Sequence, residues 1–177
     1  MYGLAYSVHN VKFIIMIKEG REIMKKGIII GIIILFILLI IGLPLYIVLM
    51  NNEIANRTTE ELANIQLPEN TQMVDTISIA GKVSGNGNGM QYFGAVLLKT
   101  NLSEEELDTY YQQYRGNSSK FLIKKQETEK IEVIDKPGYY FQTFNEEDKE
   151  KYYILYSYGS ADGIFLEDLL ELDLRGH

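Results

Sequence analysis

From Gly27 to Met50 the chain reads GIIIGIIILFILLIIGLPLYIVLM, a run of 24 residues without one charged side chain. A bilayer core roughly 30 Å thick is crossed by about 20 residues of helix rising about 1.5 Å each, and charges within it are costly. The run is therefore expected to be a single transmembrane helix, and residues 27–50 are expected to be the contact with the membrane.

Lys18, Arg21, Lys25 and Lys26 precede the run, and the next basic residue is Arg57. Basic residues collect on the cytoplasmic side, so residues 1–26 are expected in the cytoplasm and residues 51–177 outside it. A secretory signal has an apolar region of about 7–15 residues and a small-x-small cleavage site. The sequence Pro44-Leu-Tyr-Ile-Val-Leu-Met50 has no such site, and the chain has no cysteine to serve as a lipobox. An uncleaved signal anchor in the plasma membrane is the expectation. Met24-Lys25-Lys26 stands directly before the run and has the form of a translation start. Residues 1–23 are expected to be an over-long start, or a short interfacial helix.

Charge divides the chain. The net charge is −7, from 17 Lys and Arg against 24 Asp and Glu. Residues 1–50 hold five basic residues and two acidic ones, which leaves twelve against twenty-two beyond them, a balance of −10. Phosphate recognition relies on clustered Lys and Arg, so nucleic acid is not an expected partner of the exterior part. The absence of cysteine also removes disulfides, thiolate zinc sites and cysteine nucleophiles.

Residues 51–72 are polar with sparse apolar positions, and are expected to form a stalk, partly helical around Thr58 to Ile65 and ended by Pro68. Residues 73–177 are expected to form one α+β domain, a mainly antiparallel sheet with one amphipathic helix on one face. Met73–Val83 alternates with Ile77 and Ile79 on one face, while Gln91–Lys99 is apolar on both faces and suits a central strand. Ser84-Gly-Asn-Gly-Asn-Gly89 between them has the Asn-Gly pairs of a hairpin connection. Leu102-Ser-Glu-Glu-Glu-Leu107 has the spacing of a capping box on Ser103 and Glu106 with a Leu102–Leu107 staple. A helix bearing Leu107, Tyr110, Tyr111 and Tyr114 should follow and stop at Gly116-Asn-Ser-Ser. The later apolar runs, including 131–134, 139–144 and 152–158, are expected to be strands of a meander. Residues 164–170 fit either a helical turn or a strand, and a final strand is favoured through Leu170, Leu172 and Leu174.

The chemistry-bearing residues point away from catalysis. The G-x-G-x-G spacing of the loop precedes a strand, so it lacks the helix N-terminus that cradles a phosphate. His9 and His177 are the only histidines, and the acidic groups Glu104–Glu106, Glu146–Asp148 with Glu150, and Asp162, Glu167 and Asp168 match no calcium loop. No catalytic residue, cofactor or metal is expected. Asn56, Asn101 and Asn117 begin N-x-Ser/Thr triplets, a pattern common by chance.

Ten of the 13 tyrosines lie beyond residue 50, in a chain without tryptophan. Adjacent strand residues point to opposite faces, so Tyr139/Tyr140 and Tyr152/Tyr153 cannot all be buried on one face. With a helix on one side only, a row of tyrosines would face solvent, and tyrosine is favoured at recognition surfaces. Tyr140, Tyr153 and Ser157 are the expected ligand-binding residues. The span, stalk and small acidic domain resemble in layout the surface-anchored proteins of Gram-positive bacteria, without a specific motif. The function expected is a non-catalytic binding module held outside the membrane, with a protein or cell-wall partner. Alternatives are an immunity or accessory protein of a membrane or secretion complex, and a carboxylate-dependent hydrolase.

Overall fold

The computed structural model describes residues 3–86, 88–115, 121–164 and 167–177. The chain divides into two compact units, Met1–Leu45 and Tyr46–His177.

The first unit is helical. Helix α1 spans Gly3–Ile37, a π-helical turn follows at Leu38–Gly42, and helix α2 begins at Leu43. Pro44 accounts for the turn. It has no N–H to give the carbonyl of Ile40, and its ring would press against that carbonyl, so a locally wider helix relieves both problems. This stretch belongs to a helix long and apolar enough to cross a membrane, with a window of mean hydropathy 3.3 that is wholly exposed.

The second unit is α+β, built on a four-stranded antiparallel sheet in the order β1-β2-β4-β3. Its strands are β1 (Gln72–Gly81), β2 (Gln91–Lys99), β3 (Phe121–Lys125) and β4 (Tyr152–Gly159). Strand β2 lies between β1 and β4 and is buried from Tyr92 to Leu98, in keeping with its two apolar faces. Ile77 and Ile79 of β1 sit opposite Ala95 and Phe93 on one face.

Helix α2 runs to Ala63 and covers the other face. The segment expected to be a polar stalk is therefore, as far as residue 63, a helix packed on the sheet. Ile47, Asn51, Ile54, Ala55, Thr58, Thr59 and Leu62 are buried, one stripe at helical spacing. Burial of Ile47, Ile54 and Leu62 stabilises the docking by about 1.5–3 kcal/mol each. Gly94 and Gly159 make the approach close. A Cβ on Gly94 would lie 2.6 Å from the Thr59 amide nitrogen, and one on Gly159 would overlap the Thr58 hydroxyl. Thr59 Oγ1 reaches across to the sheet, donating to Ile77 O at 2.9 Å and lying 2.7 Å from Ser78 Oγ.

Helix α3 (Glu104–Tyr111) packs on the same face. Its capping box is formed: the Glu106 amide donates to Ser103 Oγ and the Ser103 amide to Glu106 Oε2. The Ser103 amide and hydroxyl, both within hydrogen-bond distance of Glu106 Oε2, hold the Glu106 carboxyl below its ordinary pKa. Leu107 and Tyr111 are fully buried, and a 3₁₀ turn follows at Gln112–Tyr114. The stop expected at Gly116-Asn-Ser-Ser, and the triplet at Asn117, lie outside the described residues.

The second face of the sheet is covered as well, which changes the expected architecture. Residues 126–145 fold over it without forming the expected strands, apart from an isolated Lys130–Tyr140 bridge. Ile131, Ile134 and Phe141 from this layer pack with Phe93, Ala95, Leu97, Tyr152 and Ile154. Gln126 shapes its start, its Nε2 donating to the carbonyls of Thr128 and Lys130. The C-terminal segment also differs from expectation. It forms a short helix α4 (Glu167–Leu170) and a 3₁₀ turn at Leu174–Gly176 instead of a strand. Leu170 is drawn into the core beside Ile54 and Tyr92, and Asp173 caps the final turn.

Candidate functional site

Tyr140, Tyr153 and Ser157 do not form one exposed surface. Tyr153 is 7% exposed and packs with Leu107 and Tyr111 beneath α3. Burial raises the pKa of its hydroxyl. Ser157 shares that face four residues along β4 and is half-buried. Tyr140 belongs to the layer over the opposite face and is 43% exposed. The tyrosine row is absent because that layer covers it: Tyr152 is buried against Phe144, with ring centroids 4.8 Å apart.

The glycine-rich loop joins β1 to β2 as a connection. The backbone N–H of Gly85 donates to Asp135 Oδ2 at 2.8 Å, and Ser84 Oγ lies 3.3 Å from the same oxygen. A carboxylate of the chain itself thus takes these donors. Gln91 holds the loop further, accepting from the amides of Val83 and Ser84.

Several acidic residues have structural partners. Asp148 pairs with Lys99 and Lys151, which lower its pKa, and Glu150 pairs with Lys125. Glu104 accepts from the Lys125 amide. Asp162, Glu167, Asp168 and Glu171 instead line an open hollow of about 310 Å³ beside Tyr92 and Gly159, whose described lining contains no Lys, Arg or His. Two of these carboxylates are held by backbone: Glu171 accepts from Met90 N at 2.9 Å and Glu167 from Gly163 N at 3.2 Å. Among the described residues no three His, Cys, Asp or Glu side chains converge as metal ligands.

Under the hollow lies a polar cluster that pattern reading passes over. Asn51, fully buried, accepts from the Tyr92 hydroxyl at 2.9 Å and donates to Leu170 O at 3.1 Å and Asp173 Oδ2 at 3.0 Å. Arg175 closes around Asp173 through Nε and Nη2, and also donates to Asn52 Oδ1 at 2.7 Å and Val48 O at 3.4 Å. The Arg175 guanidinium and the Asn51 amide hold Asp173 at a pKa of about 2. Burial, with Glu171 and Asp173 nearby, pushes the Tyr92 hydroxyl up to about 12. The cluster ties both ends of the second unit together. In sequence its only signal is an Asn on the stripe of Ile47 and Ile54.

Fold and surface together define a small α+β domain on an antiparallel sheet, carried behind an N-terminal helix apolar and long enough to cross a membrane. Comparison with known proteins finds no family model, curated protein or solved structure that matches the chain.

Proposed function

We propose that this chain is a single-pass membrane protein, N-terminus in the cytoplasm, whose C-terminal α+β domain binds a protein or cell-wall partner outside the cell without catalysing a reaction. The observation that carries the reading is a helix near the N-terminus that is apolar and long enough to cross a membrane, its apolar window exposed throughout. Binding rather than catalysis is supported by the use made of the polar side chains: Ser103 caps a helix, Thr58 and Thr59 fix α2, and Asp148, Glu150 and Asp173 pair with cations. Tyr140 is the most exposed of the three expected binding residues and the one a partner reaches without disturbing the core.

The absence of cysteine gives a clean topology test on the full chain in its own membrane. With Glu127→Cys, a membrane-impermeant maleimide should label intact cells, whereas Lys18→Cys should be labelled only after permeabilisation. The reverse pattern overturns the orientation. A photo-cross-linking side chain at position 140 should then yield one discrete adduct, suppressed by excess uncoupled domain. Absence of any adduct overturns Tyr140 as the binding residue. The open acidic hollow supports a second reading, a carboxylate-dependent hydrolase, which predicts turnover of a wall polymer that Glu167→Gln or Asp168→Asn abolishes.

A further inference from the structure

Leu172 and Leu174 are the clearest apolar side chains left in water by the second unit, 60% and 85% exposed. Their neighbours are anchored. Leu170 O and Asp173 Oδ2 accept from Asn51, and Arg175 donates to Asn52 Oδ1 and Val48 O. Residues 170–175 therefore run alongside Val48–Asn52, about 6 Å of helix that contains the last apolar residue of the run, Met50. Tyr46 and Leu49 on this part of the helix are exposed. A tyrosine at the end of an apolar span is the usual occupant of the membrane–water interface.

We infer that the C-terminal segment is a second membrane contact, with Leu172 and Leu174 entering the interfacial layer of the outer leaflet beside the point where the span leaves it. The inference rests on the membrane-spanning reading above. An isolated exposed leucine needs no explanation, but these two flank a buried Asp173 that is hydrogen-bonded to Asn51, the residue after the apolar run. Short apolar side chains seated at the headgroup boundary bind by burying area there, while an adjacent Arg keeps its charged head at the polar level. Asp168 and Glu171 lie close in sequence and face the hollow beside this segment, so the lipid favoured is zwitterionic rather than anionic.

Because the chain has no tryptophan, single substitutions report position directly. The full chain is reconstituted in phosphatidylcholine vesicles with or without bromine-labelled acyl chains, as Leu45→Trp, Leu174→Trp or Met73→Trp. Met73 pairs with Leu98 at the far end of β2 from Tyr92 and is partly exposed. The expected result is blue-shifted, strongly quenched emission at 45 and at 174, and red, unquenched emission at 73. If 45 is quenched while 174 emits as in water, the span stands and the second contact is overturned. If 174 is blue-shifted but unquenched, protein rather than lipid covers it, and the inference is equally overturned. If 45 itself is unquenched, the spanning reading falls and takes the inference with it.

Discussion

Asn51 and Asp173 stand 122 positions apart, yet a 3.0 Å hydrogen bond from Asn51 Nδ2 to Asp173 Oδ2 joins them where water scarcely reaches either. Asn51 is the first residue after the apolar run, and Asp173 lies four residues before His177. The bond makes the C-terminal segment part of the structure that receives the helix.

Asn51→Ala removes two donations and one acceptance at once and leaves the Tyr92 hydroxyl and part of Asp173 without partners. Losing a buried partner costs about 1–3 kcal/mol per stranded group, more when it is charged. Destabilisation of about 3 kcal/mol is expected in urea unfolding of the full chain in detergent. Asn52→Ala, which loses one exposed contact to Arg175, should cost under about 1 kcal/mol.

Asp173 links stability to acid. Its carboxyl titrates at about 2 in the folded chain, against an ordinary value of 3.8. The lowered value means that the carboxylate's contribution is fully present above about pH 4 and is lost as pH falls towards 2, a change of at most about 2 kcal/mol. Thermal unfolding followed between pH 5 and pH 2 should show this decline. Asp173→Asn should start less stable and lose less over the same interval.

Gly94 offers a test of how α2 is seated. A methyl group there would lie 2.6 Å from Thr59 N and 2.8 Å from Thr58 C, both backbone atoms that cannot swing aside. Gly94→Ala should therefore lift the helix and cost about 1–3 kcal/mol, the usual penalty of overpacking. Amide exchange should rise around Thr58, Thr59 and Ser78, while α3 keeps its protection.

How far the sequence could be read depends on where each signal resides. The capping box at Ser103 and Glu106 is local chemistry, complete within four residues, and it is present as read. The central strand β2 was legible because seven consecutive buried positions leave a run apolar on both faces. Beyond the apolar run, helix around Thr58 was legible but the packing of α2 on the sheet was not, because its buried stripe contains Asn51, Thr58 and Thr59. Asn51 and Thr59 find partners on Tyr92, Asp173, Ile77 and Ser78, distant in sequence, whereas the Thr58 hydroxyl donates to Ile54 O within the helix. The same holds at the C-terminus, where Leu170 and Leu172 alternate like strand residues, yet Asn51 and Arg175 fix the segment as turns. Residues 126–145 have strand-like composition, yet Ile131, Ile134 and Phe141 pack on Phe93, Ala95 and Ile154 of the sheet face and do not extend the edge strands β1 or β3. They cover the face that carries Tyr152, while Tyr153 lies beneath α3 on the other face, so the expected surface of Tyr140, Tyr153 and Ser157 is divided between the two faces.

Tyr153 and Tyr140 separate the core from the surface experimentally. The Tyr153 ring fills space against Leu107, Tyr111 and Leu155, so Tyr153→Ala leaves a cavity and should cost about 3 kcal/mol or more. Tyr140 is exposed beyond its bridge to Lys130, and Tyr140→Ala should change stability by no more than about 0.5 kcal/mol. Urea unfolding of the two variants checks both values. If partner capture falls with Tyr140→Ala at unchanged stability, the effect belongs to recognition. A loss seen only with Tyr153→Ala tracks unfolding, because the side chain is buried against Leu107 and Tyr111 of α3.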